Sequence, residues 1–515
     1  MTHAEEIKDL LDHPEKLLQK KPFTRGAEFE QDGMDDAPIY LNNEVQARLP
    51  RYKRFIVPQE QFLQELDPNC HSVLFDDSIP SICVKTKKDG FVEIDYEKMA
   101  VSFQKKIRNK KYLHMSGNET QFTLIDKAPT EQVANNFITI KQEWDLRNMD
   151  GWRNKFILTQ MSVGDGGLLF YYNHNDEVKC RLISFMDGYV ICTHRDHNGE
   201  VLLETIYYSD NGVEYIDSYD ETYRYRYSND LGTLTEEDIV VDGWRWHKPV
   251  KHGFSEIPLV SHRGDVAWED AQSIITSYEI LYNIFNAIQK RLGWGLLYIK
   301  GKFKQNAKKI AGSVILNDDS LDSNGDAKFL TPPTPDNTIK TLELMEETIQ
   351  KCAGCTFILP KDIKVSGDIS GIAVEMTQGL DIETAQSGAI EWQNVIDKMV
   401  RLFKEGLANE YVAKKKNEKA STEFAKIRIN AYIKIWRPKS DIEYNNMLSS
   451  SVTAGILSQE TGVECHTESK PDELKRIQRE AERKFDTELE QTKRKKELDQ
   501  EFSNNDDDNN NNNDK

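Results

Sequence analysis

KDIKVSGDISGIA, residues 361–373, opens directly into a stretch reaching Val412 in which apolar residues recur every three to five positions: Ile372, Met376, Leu380, Ala385, Ala389, Trp392, Ile396, Met399, Phe403, Leu407 and Tyr411. That spacing is the stripe of an amphipathic helix. It predicts a Gly/Ser/Lys loop over 356–371 at the head of one long helix over 372–415. At 1.5 Å per residue such a helix would be roughly 60 Å long, more than the width of a small domain. A soluble enzyme seldom needs such a rod, so it points to an assembly.

Working outward, Asp265 suits the N-cap of a helix over 265–292, with Trp268, Ala271, Ile275, Tyr278, Leu281, Phe285, Ile288 and Leu292 at helical spacing. LLYIKGKF reads as a strand, and the polar stretch that follows makes 293–335 a compact insertion. A second helix, 336–355, opens after Pro335 and carries Ile339, Leu342, Met345, Ile349 and Cys352. Beyond the rod, Ile427, Ile429, Ala431, Ile433 and Ile435 alternate with polar residues, as in a half-buried strand. Ser440 with Glu443, and then Ser469, read as caps for helices over 440–500. The Asn/Asp tail, 501–515, cannot bury apolar surface and is expected to be unstructured.

Towards the N-terminus, residues 1–22 read as a charged helix within an arm over 1–44. Residues 45–152 are mixed α and β, with a helix at Tyr96–Asn109. From Phe156 to Lys248, short aromatic and β-branched runs are separated by Asp187-Gly188, Asn198-Gly199, Asn211-Gly212 and Asp242-Gly243. Such pairs supply the positive φ of type I′ turns, which predicts an antiparallel meander of about six strands over 156–248. The fold class is therefore α+β.

The formal charge of −19 over 515 residues argues against a chain that grips nucleic acid with its whole surface. No run of about 18 apolar residues occurs and the first residues lack a signal-peptide core, so no membrane span is expected and a cytosol-like compartment is. Seven scattered Cys do not make a disulfide framework.

Chemistry-bearing motifs are weak. Cys352 and Cys355 have redox or zinc spacing, but they fall at a helix C-terminus, where the macrodipole opposes a thiolate. No second pair completes a tetrahedral metal site. Cys180, Cys192, His194 and His197 could be drawn as a zinc set, yet the histidines flank a hairpin turn and read as its solvated end. Asp322, Asn324 and Asp326 begin like a calcium loop, but Ala327 and Pro333 stand where it needs Gly and Glu. Gly164 to Gly167 lack the Lys and Ser/Thr of a phosphate loop. The expectation is no catalytic residue, no metal and no cofactor. Lys361 and Lys364 remain: a solvated loop in a monomer, a ring of positive charge around a passage in a cyclic oligomer.

Three segments resemble the portal proteins of tailed double-stranded DNA bacteriophages. GFSEIPLVSHRGD (253–265) leading into a helix, with LLYIKG beyond it, is similar to the family's strand and first stem helix. DISGIAVEMTQGLDIETA (368–385) is similar to the segment after the family's tunnel loop, and TAGILSQETGVECHTESKPDELKRIQREAERK (453–484) to its common ending. The likeness covers 250–490 well and 160–250 in general character, with no signature in 1–150. The Asn/Asp tail and N-terminal arm resemble portals of crAss-like phages.

The resemblance implies a homo-oligomeric ring, usually a dodecamer, at one capsid vertex of the virion, assembled in the host cytoplasm. On this chain 45–264 would be the wing, 265–292 and 336–355 the stem helices, and 293–335 a small α/β clip. Residues 356–371 would be the tunnel loop, 372–439 the long wing helix and strand, and 440–500 the crown. Lys361, Lys364, Ser366, Gly367, Ser370 and Gly371 would face double-stranded DNA in the channel. Lys300, Lys302, Lys304, Lys308 and Lys309 would meet the large terminase subunit and later a head-completion or adaptor protein, with the major capsid protein as a further partner. Two other classes stay open: another virion ring, such as a head-tail adaptor or tail component, or an enzyme using Cys352 and Cys355 or the His194 region.

Overall fold

Two short helices, α1 (His3–Asp12) and α2 (Pro14–Leu17), open the described chain. They are docked: Leu17 is buried with Leu202, Leu203, Ile216 and Tyr227. The Tyr227 hydroxyl donates to the Leu11 carbonyl at 2.8 Å, and His194 Nε2 donates to the Leu17 carbonyl at 3.0 Å. The computed structural model describes residues 3–18, 59–77, 82–85, 91–94, 97–126, 129–196, 198–232, 239–241, 243–292, 296–300, 308–310, 313–315, 326–330, 336–357, 378–414, 424, 426–437, 441–466 and 473–510. Two compact units divide the chain, one formed by Met1–Leu359 with Gln378–Trp436, the other by Pro360–Thr377 with Arg437–Lys515.

In the first unit, α3 (Gln59–Leu66) is followed by a hairpin of β1 (Ile82–Lys85) and β2 (Phe91–Ile94), then α4 (Phe103–Ser116). The helix expected from Tyr96 thus starts at Phe103. The backbone amides of Met99 and Val101 are taken by Asn283 Oδ1 and Glu279 Oε1, both at 2.7 Å, and the Met99 carbonyl accepts from Asn283 Nδ2. Groups that would close helical turns are spent on a neighbouring helix. After β3 (Thr120–Leu124) and α5 (Glu131–Leu146), α6 (Met149–Val163) takes up residues expected to begin the β block. Phe156 and Ile157 are adjacent and both fully buried, so this helix is enclosed rather than one-sided.

The β block divides into two sheets. β4 (Asp165–Tyr172) and β5 (Val178–Ile183) form a hairpin, and the distant β12 (Leu259–Arg263) takes the free edge of β4, with Leu259 opposite Leu169. The other sheet contains β6 (Val190–Arg195), β7 (Val201–Asp210), β8 (Val213–Tyr219), β9 (Tyr223–Ser228), β10 (Ile239–Val241) and β11 (Trp244–Lys251), in the order β10-β11-β9-β8-β7-β6. The single meander is corrected to two sheets because a strand far along the chain, outside any local pattern, completes the smaller one. The hairpin expectation itself holds at Asn211 and Gly212, whose φ values of 52° and 81° join β7 to β8 in a continuous antiparallel register.

The next helix, α7 (Gln272–Leu292), begins after a short 3-10 turn, so Asp265 is not its cap. Residues before it are held elsewhere: the Ala267 amide donates to the Met161 carbonyl at 3.0 Å, and the fully buried Trp268 donates its indole N–H to Glu65 at 2.9 Å. Between α7 and α8 (Asp336–Ala353), β13 (Leu296–Lys300) pairs with β16 (Asp326–Leu330), and β14 (Lys308–Ile310) with β15 (Ser313–Ile315). Helices α7 and α8 pack on one another.

The expected rod is two helices over its described part, α9 (Gly379–Glu391) and α10 (Gln393–Ala413). The break falls at Trp392, which is 2 % exposed and packs edge-on against Phe156. The two halves serve different partners: α9 lies on α4, while α10 lies on β4, β5 and β12. It also packs on β17 (Ile429–Ile433), which pairs with β3. Met399, Phe403 and Leu407 are buried as expected, whereas Leu380 is 39 % exposed and Asp381 occupies the inward face. β17 and its flanks keep the expected alternation, with Ile427, Ala431 and Ile433 buried.

The second unit holds α11 (Asp441–Thr453), α12 (Gln459–Cys465) and α13 (Glu473–Asn510). α11 stops before Gly455, whose φ of 71° lets the Gly455 and Ile456 amides reach back to the Val452 and Ser451 carbonyls. Ser440 and Ser469, expected as caps, lie outside the described residues. α13 continues through 501–510, part of the stretch expected to be unstructured from its composition.

Candidate functional site

The segment 358–377, which holds most of the Gly/Ser/Lys loop, is rooted where α8 ends and α9 begins. Helix α8 ends at Gly354, whose φ of 63° turns the chain and whose Cα lies so close to Thr384 of α9 that no Cβ would fit. The next three amides are each satisfied. Cys355 donates to the Gln350 carbonyl at 3.1 Å, Thr356 to Asp381 Oδ1 at 3.0 Å, and Phe357 to Gln350 Oε1 at 2.7 Å. The residues that follow α8 and the first turn of α9 are thereby tied at one place.

Basic residues of α4 surround this root. Lys110 Nζ is 3.8 Å from Asp381 Oδ2, and Lys106 Nζ lies over the Phe103 and Phe357 rings at 5.7 and 5.9 Å. Lys111 Nζ donates to the Ala267 carbonyl at 2.8 Å, and burial pushes its ammonium below its ordinary range. The Cys355 thiol is fully buried and pushed up to about 12, mainly by burial, which disfavours a thiolate, while Cys352 is exposed. That asymmetry suits a packed helix end better than a redox pair.

His194 is not a solvated hairpin end: it is 5 % exposed and holds the Leu17 carbonyl. Cys180 and Cys192 sit on strands of different sheets, and His197 lies outside the described residues. Among the described residues no group of three or more His, Cys, Asp or Glu could hold a metal ion.

The sequence-derived loop residues Lys361, Lys364, Ser366, Gly367, Ser370 and Gly371 lie outside the described residues, as do Lys302 and Lys304 of the expected clip. Lys300 ends β13 opposite Asp326, and Lys308 and Lys309 lie on β14. The arrangement is thus a pair of packed helices with short antiparallel strand pairs between them in the chain, followed after residues 358–377 by two consecutive helices that break at Trp392.

The family model for phage portal protein, SPP1 Gp6-like, matches residues 93–486. The chain belongs to the phage portal family. A comparison with curated proteins gives no match. The portal match begins well before the first quoted motif and takes in α4, β3, α5 and α6, where the sequence showed no signature. It supports a structural component of the virion with a part in DNA packaging, and it lends nothing to the narrower likeness to crAss-like phages. Among the described residues no helix of this portal chain is long and apolar enough to cross a membrane.

Sequence reasoning missed the contacts that Gln350, Asp381 and Lys110 make around Thr356. A signal was present: Asp381 stands four residues before Ala385 and eleven before Trp392, on the face that the helix buries, where an acid has no place without a partner.

Proposed function

We propose that copies of this chain form a ring, of twelve subunits in the usual portal arrangement, at one capsid vertex. Its central channel carries double-stranded DNA inward during packaging and outward at ejection. The contacts on either side of residues 358–377 are the observation that supports this reading: the Thr356 amide donates to Asp381 Oδ1 and the Phe357 amide to Gln350 Oε1, so the end of α8 and the start of α9 are held together. Residues 356–371 act as the tunnel loop, with Lys361 and Lys364 touching the duplex in passing, Ser366 and Ser370 beside them, and Gly367 and Gly371 allowing the loop to shift. Few cations at the channel suit a duplex that must slide, because tight phosphate binding would stall it.

In the same reading α7 and α8 are the stem, 293–335 the clip, 45–264 the wing and 440–500 the crown. The clip lysines meet the large terminase subunit during packaging and a head-completion protein afterwards. The ring also contacts the major capsid protein, is assembled in the host cytoplasm and ends in the virion. Hydrolysis of ATP falls to the terminase.

Electron microscopy of the purified protein along its symmetry axis tests the assembly. Rings with an opening about as wide as duplex DNA are expected, and a chain that stays monomeric under all conditions would overturn the proposal. Lys361→Glu with Lys364→Glu is expected to lower DNA content while rings still assemble. Unchanged DNA content would remove the role of these lysines.

A further inference from the structure

The carboxylate of Asp381 is placed where a charge costs most. Its side chain is 1 % exposed; among the described residues Oδ1 accepts from the Thr356 amide and Oδ2 has no hydrogen-bond partner. Lys110 Nζ, at 3.8 Å, is its one ion-pair partner among the described residues, too far for a hydrogen bond and close enough for Coulomb attraction in a dry environment. An asparagine would serve the Thr356 amide equally well through its carbonyl oxygen. What only a carboxylate adds is the attraction to Lys110, and a buried charge is retained at a cost unless its partner is held in turn.

Lys110 is well placed to transmit that tie. It lies on α4, one turn from Lys106, which covers Phe357, the last described residue before the loop. Its helix neighbour Lys111 is fastened to the Ala267 carbonyl, just ahead of the first stem helix α7. Gln350, on the last turn of α8, holds the amides on either side of Thr356. Three elements, α4, α8 and α9, therefore meet on one carboxylate at the root of the loop.

We infer that Asp381 is a positioning residue for the channel loop, acting through Thr356 and Lys110 to fix the loop's root to the stem. This rests on the channel-loop reading above. Force applied by DNA to the channel loop then passes to α4, α8 and α9 instead of unravelling the end of α8. No residue of the root touches DNA in this account. Asp381 sets where the loop stands, and the loop makes the contact.

Hydrogen exchange on assembled rings, read at the amides of 355–357, tests the tie apart from any role in DNA handling. Loss of a hydrogen bond to a charged group is expected to speed exchange at Thr356 about tenfold or more in Asp381→Ala. Asp381→Asn, which keeps an acceptor, should change it less, and Lys110→Gln should resemble Asp381→Asn. Should Asp381→Ala fail to assemble, the two milder variants carry the test. DNA retained per particle is then measured for each variant beside the Lys361→Glu, Lys364→Glu ring. Faster exchange with a loss of retained DNA supports the inference. Unchanged exchange in all three variants overturns the tie. Faster exchange with DNA retention at the parental level overturns the positioning role; if the loop-lysine ring still loses DNA in that case, the channel-loop reading survives alone, and if it does not, both fall.

Discussion

Arg147 and Glu410 face each other through two parallel hydrogen bonds, Nη1 to Oε2 at 2.9 Å and Nη2 to Oε1 at 3.2 Å. Arg147 caps the end of α5 and Glu410 lies on α10, so one fork-shaped contact joins helices 263 residues apart. Glu410 also accepts from the Val178 amide of β5 and from Lys414. The pair ties α10 to the end of α5.

Burial would raise the Glu410 carboxyl, but bonds from Arg147, Lys414 and the Val178 amide together outweigh it and leave the group below its ordinary range. A carboxyl depressed on folding stabilises above its unfolded value of 4.5 and loses that contribution as pH falls through the folded value. Glu410→Ala is expected to cost about 3 kcal/mol at neutral pH, by leaving Arg147 and the Val178 amide short of a partner. Urea unfolding at pH 7 and below pH 4 should show the gap between variant and parent closing in acid; a constant gap would refute the charge contribution.

His71 is expected to act in the opposite sense. Its ring nitrogens face two acceptors, Glu279 Oε1 at 2.8 Å and the Glu65 carbonyl at 2.7 Å, so the doubly protonated ring satisfies both. Burial favours the neutral ring, yet the bonds to Glu279 and Glu65 prevail and raise the group above 6.5. Its contribution is full below that value and is lost as pH rises through the raised one. His71→Gln should lower stability by about 1.5–3 kcal/mol in mild acid and by less in alkali. Thermal melts across pH 6 to 9 check the slope.

Trp392 is buried at the joint between α9 and α10, with ring centroids 4.9 Å from Phe156 and 4.8 Å from His262. Trp392→Ala should cost about 3–5 kcal/mol through the cavity it leaves. His262, held down to about 4 by burial, should then titrate nearer 6.5, because its cover is gone. NMR titration of the imidazole reads this directly, and an unmoved His262 would mean that other groups provide its burial.

Gly354→Ala combines two penalties, a φ of 63° and a methyl driven into Thr384. A cost of about 1–3 kcal/mol is expected from backbone strain with the clash adding to it. The double variant with Thr384→Ala should recover the steric part and leave the strain. Full recovery in unfolding experiments would show that backbone conformation contributes nothing there.

The alternation across 427–435, the hairpin at Asn211-Gly212 and the two helices flanking a strand-bearing insertion were legible from the sequence, since each follows from residues within one or two turns of each other. Three ordered motifs also carried the portal resemblance. The loop root was not legible. Asp381 looks like an ordinary acid in a helix's first turn until Thr356 and Lys110, 25 and 271 residues away in sequence, are seen beside it.

What the sequence by itself determined is therefore local: periodicity, turns and the order of elements, all set by backbone geometry and the hydrophobic pattern of neighbouring residues. Tertiary structure alone decided the late start of α4, where Asn283 and Glu279 capture the backbone at 99–101. It also decided the break at Trp392 and the division of the β block, which depends on β12 returning to β4. In each case the deciding interaction joins residues distant in the chain, and burial or a hydrogen bond between them outweighs the preference of the local sequence.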